Sequence, residues 1–555
     1  MKDVRELTLE VRGMTCDHCE RSVARVLGSV PGIQEVLEVS QSEARARVTA
    51  GPEATARRIE QAVAVAGYRA RVLDPSPVVG PTIGTHQDGG AFDLVIIGGG
   101  SAGFAAAIKA AELGARVAMV EGGTLGGTCV NVGCVPSKTL IRAAEAQWRR
   151  AHHGFQGIST TDGRPDWPTV RAQKDQLVAE LREAKYWNVL RSYSAITLIQ
   201  ERAVLSPGNA IRLASGRTLK ASKILVATGA SSWAPPIPGL AEAGYLDNAS
   251  AMALEQLPAS LIVMGGSAVG LELAQLFSRL GVRVTVLEAL PRLVPAEDPD
   301  VGDALGDYLR QEGLDVQVGV QINRVTRDPK GSEIVLRSGN AGGTIRAEQL
   351  LVATGRRANT RGLGLDAAGV TLGNKGEIVV NDHLQTTNPR VYAAGDVIGD
   401  PMFVYVAAYA GSLAAENALS GHLRRYDLTA LPKVTFTDPA VASVGVTETQ
   451  ARAQGIEPLV AKLPLVHVPR ALAARDTRGF IKLVADAARR RIIGAHILAA
   501  EAGEMITEPT LAIKSGLTIE DLASTFHPYL TLSEGIKLAA QTFTKDVAKL
   551  SCCAA

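Results

Sequence analysis

The feature that most constrains the fold is a strand–glycine turn–helix unit that occurs twice along the chain. Residues 94–97 (LVII) and 261–264 (LIVM) are apolar runs typical of buried parallel strands, and each leads directly into a glycine-rich turn. The equivalent positions are Gly98, Gly100, Gly103, Gly114 and Glu121 in the first copy, and Gly265, Ser267, Gly270, Gly281 and Glu288 in the second. The repeat predicts two doubly wound α/β domains.

Each copy of this unit has the features of a dinucleotide-binding site. Glycines permit a tight turn close to a pyrophosphate, the helix N-terminus attracts phosphate charge, and Glu121 or Glu288 can accept hydrogen bonds from ribose hydroxyls. Ser267 replaces the middle glycine, so a less close phosphate approach is expected in the second copy. Residues 226–229 and 352–355, both VATG, predict the strand that closes each unit. Two sites imply two cofactors, or one cofactor and one nucleotide substrate.

All six cysteines fall into three close pairs, Cys16/Cys19, Cys129/Cys134 and Cys552/Cys553. The middle pair lies in GGTCVNVGCVPSK, just behind the first dinucleotide unit, where glycines allow the two sulfurs to approach and form a small ring. Beside a flavin, such a pair can accept two electrons and pass them to a substrate. A metal site, or two buried structural cysteines, is the alternative interpretation.

Length and charge narrow the class of protein. A chain of 555 residues predicts about three to five domains. The net charge of +2, without a basic cluster interleaved with aromatics, gives no support to nucleic-acid binding. The N-terminus lacks the apolar core of a signal peptide, and the longest apolar stretch, 403–415, is too short to span a bilayer. We therefore expect a cytoplasmic protein, in which paired cysteines are metal-binding or catalytic.

Residues 1–73 predict a separate βαββαβ domain. Leu7, Leu9 and Val11 alternate as in a half-buried strand, and GMTCDHC at 13–19 precedes the first helix. The Cys16 and Cys19 thiolates suit a soft ion such as Cu(I) or Hg(II), whereas His18 is expected to face solvent. Thioredoxin-type redox motifs share this cysteine spacing. Residues 74–91 are rich in proline, glycine and polar residues and predict a mobile linker.

From about residue 93 to 549, the motifs GGGSAG, GGTCVNVGCVPSK, the paired ATG segments and AAGD resemble the pyridine nucleotide–disulfide oxidoreductase family. The GMTCDHC segment resembles the heavy-metal-associated domain, which has a ferredoxin-like fold. Together with the C-terminal Cys-Cys, it resembles the branch of the family that reduces Hg(II) to Hg(0). The domains implied are heavy-metal-associated (1–73), linker (74–91), FAD-binding (92–240 and 363–428), NAD(P)-binding (241–362), α+β dimerisation (429–550) and tail (551–555).

The resemblance also implies roles for individual residues. FAD is held by Gly98, Gly100, Gly103, Glu121 and Asp396, and NADPH or NADH by Gly265, Gly270 and Glu288. Further cofactor-binding positions are Ser101, Ala102, Gly127, Thr128, Lys138, Thr228, Gly229, Gly355 and Gly395.

For the catalytic centre, the resemblance implies that Cys129 is the exchange thiol and Cys134 the thiolate against the flavin. Lys138 pairs with Glu272 near the flavin edge. Tyr186 and Tyr529 line the path of Hg(II). Cys552 and Cys553 come from the second subunit of a homodimer and receive Hg(II) from its thiol complexes, unless the tail is inert.

Three expectations concern chemistry within the site. His527-Pro528 is present, but Glu534 lies two positions later than the glutamate that completes the acid–base pair of thiol-acting members, which favours a metal path; a plain interface role for His527 is the alternative. Glu288 favours NADH by repelling a 2′-phosphate, unless nearby Arg283 and Arg292 offset it. Ligand exchange requires thiolates, so a lowered pKa is predicted for Cys134 and for Cys129, near a helix beginning around Pro136.

Two other functions remain open from the sequence. One is a disulfide reductase of the glutathione or lipoamide type, which His527 supports and the Cys-Cys tail opposes. The other is a soft-metal chaperone or buffer whose flavin domains keep its thiols reduced, which GMTCDHC supports. Deletion of residues 1–75 separates the second from an enzyme, because an enzyme should retain its turnover.

Overall fold

A computed structural model describes residues 5–12, 17–40, 44–51, 54–66, 68–73, 91–161, 163–339, 341–421 and 423–547. The chain forms two units, 1–85 and 86–555. The predicted linker, except for its last residue, and the Cys-Cys tail lie outside the described residues. In the described part of the chain, no helix combines the length and the apolar run that crossing a bilayer requires.

The N-terminal unit is a four-stranded antiparallel sheet with two helices. Its elements are β1 (Arg5–Arg12), α1 (Asp17–Gly28), β2 (Ile33–Ser40), β3 (Arg45–Ala50), α2 (Ala56–Val65) and β4 (Arg69–Leu73). The strand order is β2-β3-β1-β4, and the alternating Leu7, Leu9 and Val11 are buried in one core with Val23 and Ile59 of the helices. This confirms the predicted βαββαβ, ferredoxin-like fold.

The larger unit contains the remaining strands. In chain order they are β5 (Phe92–Ile97), β6 (Val117–Val120), β7 (Ile196–Ile199), β8 (Ala203–Ser206), β9 (Ala210–Leu213), β10 (Thr218–Leu219), β11 (Ala221–Val226), β12 (Ala230–Ser232), β13 (Ser260–Met264), β14 (Arg283–Glu288), β15 (Asp315–Val318), β16 (Val320–Asp328), β17 (Gly331–Ser338), β18 (Ala341–Ala347), β19 (Gln349–Val352), β20 (Arg356–Ala358), β21 (Val391–Ala393), β22 (Lys433–Thr435), β23 (Ala440–Gly445), β24 (Pro458–Pro464), β25 (Phe480–Asp486) and β26 (Ile492–Ala499).

The helices of this unit lie between and after these strands. They are α3 (Ser101–Glu112), α4 (Gly127–Val132), α5 (Cys134–Arg149), α6 (Trp167–Arg182), α7 (Asn188–Ser192), α8 (Leu240–Ala243), α9 (Asn248–Met252), α10 (Ala268–Arg279), α11 (Pro299–Gln311), α12 (Val404–Leu419), α13 (Glu448–Ala453), α14 (Pro469–Ala474), α15 (Ala502–Met505), α16 (Thr507–Ser515), α17 (Ile519–Ser524) and α18 (Glu534–Gln541). A π-helical turn, Glu183–Trp187, joins α6 to α7.

Two parallel sheets contain the repeated unit. The first has the order β21-β11-β5-β6-β7 and the second β15-β14-β13-β19. The closing strands β11 and β19 end at Val226 and Val352, so the Ala-Thr-Gly of each VATG forms the turn that follows rather than part of the strand. Because β21 joins the first sheet, the segment leading to Asp396 returns to the first dinucleotide domain.

The last part of the chain forms an α+β layer. Its antiparallel sheet has the order β22-β23-β26-β25-β24, and helices α15 to α18 contribute to its core. The overall class is therefore the predicted one, namely two doubly wound domains followed by an α+β domain. The domain boundaries within 86–555 stay a prediction.

Candidate active site

The two central cysteines meet because the helix breaks between them. Cys129 lies in α4 and Cys134 is the first residue of α5, two positions earlier than the helix start expected from sequence. Gly133 separates the helices with φ −124° and ψ −113°, and a Cβ there would lie 2.9 Å from the carbonyl oxygen of Thr128. Both cysteines are half-buried free thiols, so the sulfurs remain accessible to a ligand.

The pKa values of the two thiols are shifted in opposite directions. A hydrogen bond from Cys129 lowers the pKa of Cys134 to about 7 against the effect of burial, and the positive charge of Lys138 acts in the same direction. The same hydrogen bond, together with burial, raises the pKa of Cys129. The prediction of a lowered pKa is therefore confirmed for Cys134 and wrong for Cys129. Adjacent thiols share one titration, and the proton retained on Cys129 stabilises the Cys134 thiolate.

Lys138 and Glu272 form the ion pair that the sequence predicted. Nζ of Lys138 lies 2.7 Å from Oε2 of Glu272, whose side chain is only 8% exposed. The other carboxylate oxygen of Glu272 accepts a hydrogen bond from the backbone N–H of Phe436 at 2.9 Å. Lys138 Nζ lies 4.6 Å from the centre of the Phe436 ring. Phe436 was not identified from the sequence, because only the fold brings it beside this ion pair.

The first glycine turn fits a flavin dinucleotide. A Cβ at Gly98 would lie 2.3 Å from the carbonyl oxygen of Ala227, and a Cβ at Gly103 would lie 1.9 Å from that of Gly98. These glycines are required by the packing of the turn. A Cβ at Gly100 would meet only Gly127 Cα, at 3.6 Å, so Gly100 instead leaves space before the N-terminus of α3, where a pyrophosphate fits.

The other residues predicted to bind FAD surround this turn. Ser101 and Ala102 begin α3, Gly127 and Thr128 begin α4, and Thr228 and Gly229 follow β11. Glu121 follows β6 and accepts the N–H groups of Gly99 and Gly123, each at 2.6 Å. Gly395 and Asp396 follow β21; burial raises the pKa of Asp396, opposed by Arg356 at 3.9 Å.

The second glycine turn repeats this geometry. A Cβ at Gly265 would lie 2.4 Å from the carbonyl oxygen of Ala353, and one at Gly270 would lie 2.0 Å from that of Gly265. Glu288 ends β14, is 8% exposed, and accepts the N–H groups of Gly266 and Leu290 at 2.6 and 2.8 Å. Gly355 follows β19. The carboxylate therefore stands where it would meet a ribose hydroxyl.

One of the two arginines expected near Glu288 is not there. Arg283 begins β14, the strand that Glu288 ends, so the two residues are separated by roughly 16 Å of extended chain. Arg283 cannot offset the charge of Glu288, and that expectation is wrong. Arg292 lies four positions after Glu288 in the sequence. Its Nε is 4.0 Å from Oδ1 of Asp303, and this nitrogen is buried without a hydrogen-bond partner among the described residues.

Tyr186 lies beside the thiols, whereas Tyr529 lies on an exposed loop. Tyr186 belongs to the π-helical turn and packs edge-on against Phe104, with 4.8 Å between the ring centres. Burial raises its pKa, and the charges of Cys129 and Cys134 act in the same direction, which places the phenol within electrostatic reach of both sulfurs. Tyr529 is 60% exposed, which suits a residue that acts on another subunit.

A hydrogen-bond chain that the sequence did not reveal holds the thiol segment. Asn131, between the two cysteines, donates to the carbonyl oxygens of Leu125 and Gly127, both at 2.9 Å. Its side-chain oxygen accepts from Arg182, the last residue of α6, at 3.1 Å. These hydrogen bonds therefore connect the segment that carries the two cysteines to α6, the helix that leads into the π-helical turn of Tyr186.

His527 has a carboxylate partner, but that partner is not Glu534. Its Nε2 lies 2.7 Å from Oε1 of Glu508, a residue of α16 that sequence reasoning missed. Glu534 is buried at the start of α18, and its Oε2 has no hydrogen-bond partner in the described part of the chain. No nearby sequence signal links Glu508 to His527, since they lie 19 residues apart on different elements.

The remaining predicted metal-binding residues are only partly visible. Cys19 lies in the first turn of α1 and is half-buried, whereas Cys16, Cys552 and Cys553 lie outside the described residues. Within the described ranges, no three His, Cys, Asp or Glu side chains form a cluster suited to a metal ion.

Comparison with known families agrees with this architecture. Residues 92–411 match the pyridine nucleotide-disulphide oxidoreductase family, residues 431–540 its dimerisation domain, and residues 8–69 the heavy-metal-associated domain. Among solved structures, the HOCl-induced flavoprotein disulfide reductase RclA from Escherichia coli is 30% identical with a TM-score of 0.73, covering 81% of this chain and 99% of its own. LpdA from Mycobacterium tuberculosis is also 30% identical, with a TM-score of 0.72, over 81% of this chain and 99% of its own.

Curated relatives match over nearly the full length. The mercuric reductase of Staphylococcus aureus is 42% identical, covering 98% of both chains. That of Shigella flexneri is 44% identical over 99% of this chain and 100% of its own, and that of Streptomyces lividans is 49% identical over 83% and 98%. The chain therefore belongs to the pyridine nucleotide-disulphide oxidoreductase family and, with its N-terminal heavy-metal-associated domain, to the mercuric reductases within it.

Proposed function

We propose that this protein reduces Hg(II) to elemental Hg(0) with electrons from NAD(P)H. The observation that carries the proposal is the pair of half-buried thiols Cys129 and Cys134, which lie on either side of the break between α4 and α5, with the pKa of Cys134 lowered to about 7. Thiolates are the ligands that bind soft Hg(II) most tightly and exchange it most readily. The pair lies beside a dinucleotide-binding turn, in a chain similar over its length to proteins named mercuric reductase.

Because the pKa of Cys134 is lowered and that of Cys129 is raised, we expect the two sulfurs to bind Hg(II) in two successive exchange steps. Cys129, the exchange thiol, forms the first Hg–S bond while one thiolate ligand of the arriving Hg(II) leaves and takes the proton of Cys129. The Cys134 thiolate then displaces the second thiolate ligand, so that both sulfurs bind Hg(II). Two electrons convert Hg(II) to Hg(0) and both Hg–S bonds break, which releases both sulfurs as thiolates. Cys129, whose pKa is raised, then takes up a proton from water and restores the starting pair. When bound, FAD supplies the two-electron transfer between the nicotinamide and this site.

Other residues of the chain bind and orient. Gly98, Gly100, Gly103 and the N-terminus of α3 hold the flavin pyrophosphate, while Gly265, Gly270 and Glu288 hold the nicotinamide nucleotide, with NADH favoured. Lys138, fixed by Glu272, holds positive charge beside the Cys134 thiolate. Tyr186 lies beside the sulfurs as a second polar contact for the arriving ion.

The active unit is a homodimer, and its dimerisation domain is followed by the cysteine tail. Cys552 and Cys553 of the partner subunit receive Hg(II) and pass it to Cys129 and Cys134. Cys16 and Cys19 bind Hg(II) on the N-terminal domain and deliver it. The domain boundaries we propose are those given from sequence, and the location is the cytoplasm, where NAD(P)H and reduced thiols are available.

Purified flavoprotein tests the proposal directly. NAD(P)H oxidation should require Hg(II) supplied as a thiol complex, and mercury vapour should leave the solution in equal amount. Cys129→Ala and Cys134→Ala should each abolish turnover. Replacing Cys552 and Cys553 by Ala should slow turnover with thiol-bound Hg(II), and undiminished turnover would remove the tail from the mechanism.

The same assay separates the alternative functions. Oxidation of NAD(P)H stimulated by glutathione disulfide or lipoamide, but not by Hg(II), would identify a disulfide reductase like the RclA neighbour. Deleting residues 1–85, which form the first of the two units, should leave turnover with small Hg(II)–thiol complexes intact. Loss of all function in that deletion would instead indicate a metal chaperone.

A further inference from the structure

The segment that carries Tyr529 is anchored at one inward-pointing side chain. Between Phe526, which is 99% exposed, and Tyr529, which is 60% exposed, the His527 side chain is only 4% exposed. The segment also contains Leu530 with φ +93°, a conformation costly for a residue other than glycine. A strained segment with two exposed aromatic rings keeps its shape only if its neighbours hold it.

His527 is held through both ring nitrogens by oxygen atoms that accept. Nδ1 lies 3.0 Å from the carbonyl oxygen of Thr525, and Nε2 lies 2.7 Å from Oε1 of Glu508. A carbonyl oxygen and an ionised carboxylate have no proton to donate, so both ring nitrogens donate when Glu508 is charged. The contacts therefore fit an imidazolium ion, and because each ring nitrogen has a partner within the protein, neither is free to exchange a proton with a substrate thiol.

We propose that Glu508 is a positioning residue that holds His527 as an imidazolium, which fixes the segment presenting Tyr529 and withholds the histidine from acid–base exchange with thiols. Glu508 thereby acts as a specificity determinant. A disulfide substrate needs a group that releases and regains a proton as its thiol leaves. Hg(II) transfer between thiolates needs none from His527. The second half of this inference rests on the proposed function.

Two further charged groups face the His527–Glu508 pair. Lys537 and Glu534, both of α18, face His527, and Lys537 opposes its protonation. Glu508 lies in the first turn of α16, where its charge also meets the favourable end of the helix. The hydrogen bond with Glu508 is the largest influence that raises the pKa of His527, and burial opposes it.

Glu508→Gln tests the proposal because it removes the charge at nearly constant shape. The matched control is Glu520→Gln, which removes an exposed carboxylate paired with Arg490 in the same part of the chain. In ring-labelled holoenzyme, the NMR signal of His527, assigned by its loss in His527→Gln, should titrate above 6.5 in the wild type. We expect its midpoint to fall by roughly one unit in Glu508→Gln and to stay unchanged in Glu520→Gln.

Kinetics supply the second readout. For thiol-bound Hg(II), Glu508→Gln should raise KM several-fold with little change in kcat, and the rate with an aromatic disulfide relative to Hg(II) should increase. An unchanged His527 midpoint overturns the imidazolium assignment, and an unchanged KM overturns the positioning role. If Glu508→Gln does not fold, His527→Gln decides, since it should remove the pH dependence of KM around the wild-type His527 midpoint. Wild-type protein that releases no mercury vapour refutes the proposed function, whereas the titration still tests Glu508.

Discussion

Lys138 Nζ and Glu272 Oε2, 2.7 Å apart, join the thiol helix to the second dinucleotide unit. Lys138 lies one turn into α5, which begins at Cys134, and Glu272 lies in α10, the helix behind the second glycine turn. The backbone of Phe436 completes the arrangement from the start of the dimerisation region. Three parts of the larger unit are thus linked at the charge that faces Cys134.

The first prediction concerns the sign of that charge. Lys138→Met should raise the pKa of Cys134 above about 7, by roughly one unit, because the lysine charge stabilises the thiolate. Glu272→Gln should act in the opposite direction, because the glutamate charge raises that pKa. The measurement is the pH dependence of alkylation by iodoacetamide. Lys220→Met, at an exposed position, is the control, and equal midpoints in all four proteins would contradict the assignment.

The second prediction separates the hydrogen bond of Cys129 from its sulfur. Cys129→Ala removes the donor to the Cys134 thiolate, so the pKa of Cys134 should rise by roughly one to two units, the size expected for a hydrogen bond to a charged group. Cys129→Ser keeps an O–H donor and should shift the pKa less. Both variants lose turnover, so alkylation rates provide the comparison. A larger shift in the serine variant than in the alanine variant would exclude this hydrogen bond as the cause.

The sequence determined the repeated units well because their constraint is local. Gly98 and Gly265 tolerate no Cβ, with backbone oxygens 2.3 and 2.4 Å from where it would lie, so the same pattern of residues produces the same turn twice. The βαββαβ domain follows from alternation in β1 in the same way. These features depend on neighbours within one supersecondary unit, which the order of residues specifies directly.

The predictions from sequence were wrong or incomplete where a contact depends on elements far apart in the chain, or where a pKa depends on a neighbouring titratable group. Glu508 contacts His527 only because α16 packs beside the loop after α17. Arg283 is five positions from Glu288, yet strand geometry places it at the opposite end. Cys129 has the same chemistry as Cys134, but a shared proton separates their acidities. Spacing along a chain carries none of this information.

A third prediction follows from the raised pKa of His527. A group whose folded pKa exceeds its ordinary value of 6.5 contributes its full stabilisation below that pH and loses it as pH rises through the folded pKa. The difference in Tm between the wild type and Glu508→Gln should therefore be largest below pH 6.5 and shrink above it. Scanning calorimetry on the holo dimer from pH 5.5 to 9 measures it, with Glu520→Gln as reference. A difference that grows with pH would contradict the sign.

A fourth prediction tests the π-helical turn Glu183–Trp187. Such a turn contains one residue more than an α-helix needs, so deleting Lys185 should restore α-helical phase and rotate Tyr186 by about 100° relative to α6. Tyr186→Phe retains the packing on Phe104 and loses only the hydroxyl. We expect Tyr186→Phe to slow Hg(II) turnover on the order of tenfold, equivalent to about 1.4 kcal/mol.

The deletion should slow turnover further while leaving NAD(P)H-dependent reduction of an artificial flavin oxidant unchanged. Tyr193→Phe, just beyond α7, is the control for loss of a phenol in this region. Equal turnover in the deletion and the wild type would show that the position of Tyr186 is immaterial.

The fifth prediction concerns the nicotinamide donor. Glu288 is buried, accepts two backbone N–H groups and receives no compensation from Arg283, so its charge should repel a 2′-phosphate. At about 5 Å and an effective dielectric constant near 20, one charge pair contributes about 3 kcal/mol, or roughly a hundredfold in kcat/KM. The wild type should therefore prefer NADH, and Glu288→Gln should reduce that preference while keeping an acceptor for one of the two N–H groups. Arg283→Gln should leave the ratio of kcat/KM for NADH to that for NADPH unchanged, since the strand holds Arg283 away from the ribose. A change in this ratio as large as the change in Glu288→Gln would place both residues at the nucleotide and refute the strand geometry.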